Sequence, residues 1–194
     1  MNKRYNKKLK RDVYEIFAGE YFVTDKRYVV LKTLLGSCVS VCLKDEVTGI
    51  AGMNHFMLPA SKRIENIIIN EDAKYGINAM ELLINTMIKK GAKRPYLKAK
   101  VFGGGKVLEQ ELSNVANSNI EFVKVYLNME QIPVITSDLG DNYGRKIFFF
   151  PDTFTVYLKK IKISKMSTST IAKEKEMYTR IKQKSKQEGE LTLF

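Results

Sequence analysis

The 194-residue chain carries two cysteines, Cys38 and Cys42, and a single histidine, His55. Cysteine attacks a carbonyl carbon as thiolate, and with a free pKa near ~8.5 it needs a neighbouring base to take its proton at neutral pH. A cysteine and an imidazole brought together are therefore sufficient for acyl transfer. The two cysteines stand in different settings. In "GSCVSVCL", residues 36–43, Cys42 sits inside an apolar alternation and is assigned to packing. Cys38 instead follows the flexible Gly36-Ser37 pair, and backbone N–H groups of such a turn, at Ser37 and Cys38, can serve a developing oxyanion. Cys38 is thus either a nucleophile or a small core residue, since a cysteine in an apolar strand ordinarily packs and a lone histidine is ordinarily a satisfied polar group.

Other chemistries fit the same residues less well. Four positions apart in a strand, the cysteines would have Cα atoms ~13 Å apart, beyond the ~7 Å that a disulfide spans. Cys38, Cys42 and His55 give three candidate metal ligands without the close spacing of zinc loops, so no metal site is expected. Gly103-Gly104-Gly105 lacks the Lys-Ser/Thr ending of a P-loop and the spacing of a dinucleotide turn; a structural turn or a close backbone approach is the reading.

The elements that must position Cys38 and His55 follow from periodicity. Tyr21 to Val23 and Tyr28 to Leu31 read as a first hairpin around Asp25-Lys26-Arg27. Val39, Val41 and Leu43, with a return through Gly49 to Met53, predict a second hairpin with Cys38 at its entry and His55 just past its return. Cap-like residues at Asn70 to Asp72, apolar positions at Ile77, Met80, Leu83, Ile84, Met87 and Ile88, and a stop at Gly91 predict a helix. Leu97 to Phe102 reads as a strand. Ser118 and Glu121 have capping-box spacing ahead of a second helix ending near Gln131, before Pro133. Val134 to Ser137, Arg145 to Phe150 and Thr155 to Ile163 read as a closing meander of strands. From Ser164 the apolar content thins into a marginal helix or a disordered tail. The fold class predicted is α+β, with helices packed on a largely antiparallel or mixed sheet system.

Composition bounds the function. With 44% hydrophobic and 28% charged residues the chain suits one globular domain. No run approaches the ~18 to 20 apolar residues of a membrane span, and the basic N-terminus has no apolar stretch of a signal peptide, so a cytoplasmic protein without membrane insertion is expected. The net charge of +12 implies an acidic partner. Its basic residues crowd the two ends, as solvated tails do. Nucleic-acid binding is not expected, because no recognised module or aromatic-interleaved basic stripe is present.

The residues also match a family. "TLLGSCVSVCLKDEVTGIAGMNHFMLP" at 33–59, "YGINAMELLINTMIKKGAKRPYLKAKVFGGG" at 75–105 and "IPVITSDLGDNYGRKIFFFPDTFTVYLKK" at 132–160 resemble the CheD family, the chemoreceptor glutamine deamidases of chemotaxis. The resemblance spans roughly residues 18–163, leaving a basic extension at 1–17 and a charged tail at 164–194. One departure is Gly103-Gly104-Gly105, where the family usually reads Gly-Gly-Ala. The resemblance implies Cys38 as nucleophile, His55 as general base and Thr33 as the residue orienting the imidazole, with Thr48 as the competing threonine. It implies amide hydrolysis through a thioester without a cofactor, a receptor methylesterase side activity and an α/β layered sandwich of mixed or antiparallel sheet related to deamidating toxins. The substrate implied is the cytoplasmic domain of chemoreceptors, with a CheC-type phosphatase as partner. A regulatory binding module that uses the pocket for docking is the alternative class.

Overall fold

The computed structural model of the protein describes residues 1–58, 73–107, 113–162, 164, 172 and 175–183. Among the described residues, ten strands form two five-stranded sheets. The first sheet has the order β1 (Asn2–Asn6), β2 (Arg11–Glu15), β4 (Val29–Leu35), β9 (Tyr143–Phe150), β10 (Thr155–Lys162). The second runs β3 (Tyr21–Thr24), β6 (Ala51–Asn54), β5 (Val39–Asp45), β7 (Leu97–Gly103), β8 (Val134–Leu139). Helices α1 (Ala73–Lys89) and α2 (Ser113–Met129) pack on the second sheet.

The period-2 alternation of β5 shows why the layers stack as they do. Val39, Val41 and Leu43 pack with Met80, Leu83 and Ile84 of α1 and with Phe122, Val123 and Leu127 of α2. The intervening Cys42 packs the other way, with Met53 and Phe102 of its own sheet and Leu31, Ile147 and Phe149 of the first sheet. The second sheet is therefore the middle of three layers, covered by helices on one face and by the first sheet on the other, and its central strand is buried on both sides.

Helix ends are set by local chemistry. Gly91, at φ 107°, lets the Ala92 N–H reach the Met87 carbonyl at 3.0 Å while its own N–H bonds to Ile88 at 2.8 Å, a Schellman stop. Gln131, at φ 56°, closes α2 in the same way through Ile132 and Leu127. The expected cap at Asn70 to Asp72 lies outside the described residues.

The second hairpin stands as predicted: β5 and β6 pair antiparallel, with Cys42 opposite Met53. β9 and β10 pair as well. The first hairpin does not form, because β3 pairs with β6 in the second sheet and β4 with β2 and β9 in the first. The turn at Asp25 to Tyr28 carries the chain between sheets; both strands have an apolar face to bury, and each buries it against distant partners. The closing meander is likewise interrupted, since β8 runs parallel to β7 in the second sheet after the α2 crossover, and only β9–β10 is a hairpin. Ser118 is not a cap. It lies buried inside α2, which begins at Ser113. Residues 2–15, read as a basic extension, supply two strands, of which β2 pairs parallel with β4. Residues 175–183 are helical, and Ile181 is buried in the layer between the sheets.

Candidate active site

The hairpin of β5 and β6 delivers Cys38 and His55 to one place. Just beyond its ladder, Val39 and Phe56 form an antiparallel bridge, with N–H to carbonyl distances of 3.0 and 2.9 Å. Cys38 and His55 each precede a bridge residue, so they are diagonal neighbours across the pair, a relation that ordinarily sets Cα atoms about 7 Å apart. Val39 and Phe56 point toward the helices. Alternation turns Cys38 and His55 to the opposite face, and Cys38 packs in the layer between the sheets.

Thr33 enters that layer from the other sheet. On β4 it shares a face with Leu31 and Leu35, and its Oγ1 lies 2.8 Å from His55 Nδ1. The same hydroxyl donates to the Ile16 carbonyl at 2.7 Å. A hydroxyl has one hydrogen, and a carbonyl only accepts, so toward the imidazole Thr33 must accept. Nδ1 therefore carries the proton, and the lone pair sits on Nε2. That nitrogen is buried and makes no hydrogen bond among the described residues. Burial pulls the His55 pKa down from 6.5 to about 4, against the opposing influence of the Ile16 carbonyl and Glu20, which keeps the ring neutral.

The backbone around both residues is tightly held. The Gly36 carbonyl accepts from Gly105 N–H at 2.7 Å, and the Cys38 carbonyl from Gly104 N–H at 2.8 Å. The triple glycine is thus a close backbone approach to the Gly36-Ser37-Cys38 turn. At Gly103, with φ 122°, a Cβ would come within 2.1 Å of the Cys38 carbonyl oxygen. Asn54, immediately before His55, accepts from Val41 N–H and donates to the Ala79 carbonyl, tying β6 to β5 and α1.

Thr48 is not brought to the site. It lies in the turn at the far end of the hairpin, where its N–H donates to Asp45. Cys42 is fully buried, and desolvation raises its pKa far above the ordinary thiol value, so it stays protonated. A cavity of about 700 Å³ opens beside Thr33 and His55, lined also by Ile16 and Tyr75 and by Met177 and Ile181 of the C-terminal helical residues; Cys38 is not in its lining.

Sequence reasoning missed Asn119. This fully buried side chain of α2 donates from Nδ2 to the Ser37 carbonyl at 3.0 Å and accepts the Leu58 N–H on Oδ1 at 2.7 Å. The available signal was register: Val115, Ser118, Asn119, Phe122, Val123, Tyr126 and Leu127 form one helical face, and two of its members are polar.

A family model described as "CheD chemotactic sensory transduction" matches residues 57–160. A probable chemoreceptor glutamine deamidase CheD 1 of Shewanella oneidensis is 48% identical, covering 93% of this chain and 87% of that protein. A probable chemoreceptor glutamine deamidase CheD of Methylobacillus flagellatus is 43% identical over 100% of this chain and 95% of its own length. Among solved structures, Bacillus licheniformis hypothetical protein YfiH covers 61% of this chain and 49% of its own at 15% identity and a TM-score of 0.35, too low to bear on fold or function. With more than half of its length in the family model and near-complete coverage by such relatives, the chain belongs to the CheD family.

Proposed function

We propose that this protein deamidates glutamine side chains of chemoreceptors to glutamate, with Cys38 as nucleophile, His55 as base and Thr33 as the residue that orients the imidazole. The observation that carries the mechanism is the Thr33 Oγ1 to His55 Nδ1 contact of 2.8 Å, which leaves the Nε2 lone pair as the available base in the layer that also holds Cys38. The deamidase names of the relatives supply the reaction and its substrate.

With a neutral imidazole at rest, proton transfer accompanies attack rather than preceding it. His55 Nε2 takes the thiol proton as Sγ bonds to the carboxamide carbon. Backbone N–H groups of Ser37 and Cys38 stabilise the oxyanion, and the imidazolium returns its proton to the departing ammonia. Water, deprotonated by the same ring, then cleaves the thioester to glutamate and free thiol. Glutamyl methyl esters would enter through the same acyl-enzyme, losing methanol in place of ammonia. A cytoplasmic location goes with this reading of the substrate. Among the described residues no helix is long and apolar enough to cross a membrane. A CheC-type phosphatase partner belongs to the same family-based reading, and absence of binding to such a phosphatase would remove it.

The test is ammonia release from a chemoreceptor cytoplasmic fragment. Cys38→Ala and His55→Ala abolish it and Cys42→Ala leaves it intact; full activity in Cys38→Ala would sink the assignment.

A further inference from the structure

An asparagine inside a helix competes with the helix for backbone hydrogen bonds, and a buried amide must find partners for both of its ends. Asn119, fully buried in α2, finds them outside its helix, on the Ser37 carbonyl and the Leu58 N–H. These two partners fix which end of the amide is which, because a carbonyl only accepts and a backbone N–H only donates. They also place the side chain between the turn that carries the nucleophile and the segment that follows the base.

The peptide bond is planar and trans, so holding the Ser37 carbonyl on one side sets the Cys38 N–H on the other. Of three successive carbonyls in this turn, those of Gly36 and Cys38 are held by backbone N–H groups of the glycine loop. Only the middle one, that of Ser37, takes a hydrogen bond from the Asn119 side chain. A donor on that carbonyl also polarises the peptide and strengthens its N–H as a donor.

We propose that Asn119 is a positioning residue for the tetrahedral intermediate: it fixes the Ser37–Cys38 peptide so that the Cys38 N–H is preset toward the oxyanion. This rests on the cysteine deamidase reading above. The Asn119 amide bonds to backbone groups on either side of the site, and its influence should therefore appear only in chemistry that develops an oxyanion.

The experiment compares two reactions of the same thiol. Deamidation of a chemoreceptor cytoplasmic fragment passes through an oxyanion, whereas alkylation of Cys38 by iodoacetamide does not. Asn119→Asp keeps the acceptor for the Leu58 N–H but sets an oxygen against the Ser37 carbonyl, and Asn119→Ser is a second variant in case the first does not fold. In the folded variants kcat should fall by about 10²-fold, the scale of losing one oxyanion donor, with KM within about twofold and the alkylation rate within about threefold of wild type. The proposal is overturned if kcat stays near wild type, if alkylation falls in parallel with kcat, or if neither variant folds. Absence of ammonia release from wild type would instead sink the deamidase reading itself.

Discussion

Thr33 lies in β4 of the first sheet and His55 directly follows β6 of the second, and the 2.8 Å contact between Oγ1 and Nδ1 joins them across the layer between those sheets. The Thr33 hydroxyl is itself committed by its 2.7 Å bond to Ile16, so the imidazole has one tautomer and one direction available. Thr33→Ala removes both bonds and should lower kcat for ammonia release by about 10- to 100-fold, while Thr33→Ser, which keeps the hydroxyl, recovers most of it. Thr48→Ala, in the distant turn, should leave kcat unchanged. Equal effects of the two alanine variants would contradict this orientation.

The depressed pKa of His55 makes stability depend on pH. Between about 4 and 6.5 the unfolded chain binds a proton at this histidine and the folded protein does not, so stability rises with pH across that window. Stability from this group is complete above pH 6.5 and declines by up to about 3 kcal/mol as pH falls toward 4. Urea unfolding of wild type and His55→Gln at several pH values isolates it: the difference between the two should change across the window, and a constant difference would refute the assignment.

Gly103 is packed against the carbonyl of the proposed nucleophile. Gly103→Ala sets a Cβ within 2.1 Å of the Cys38 oxygen at φ 122°, so the glycine loop or the Gly36-Ser37-Cys38 turn must move. A loss of about 3 kcal/mol or more in urea unfolding is expected, with ammonia release lost in whatever folds. Wild-type stability and activity would show that the loop does not clamp the turn.

What the sequence made legible was local. The β5–β6 hairpin has both strands and its turn within residues 39–54, and α1 has an unbroken apolar face, so both follow from periodicity. β3 and β4 do not, because a hairpin and a crossing between sheets share the same turn chemistry and differ only in partners far along the chain. In β1 and β2 the dense lysine and arginine hid strands that keep only Val13 fully buried. The site divides in the same way. Cys38 and His55 stand out as scarce residues flanking one hairpin. Thr33 came only from the family resemblance, since its contact with His55 depends on how two sheets stack. Asn119 was hidden because Ser118 and Glu121 imitate a helix cap, whereas both Ser118 and Asn119 lie within α2 on its buried face.

In the proposed mechanism, conversion of a receptor glutamine to glutamate depends on Cys38. Peptide mass spectrometry of a chemoreceptor cytoplasmic fragment, before and after incubation with wild type and with Cys38→Ala, tests it at the product. Wild type should convert glutamine to glutamate at defined positions and Cys38→Ala should not; the same conversion with both proteins, or with neither, would contradict the role of Cys38.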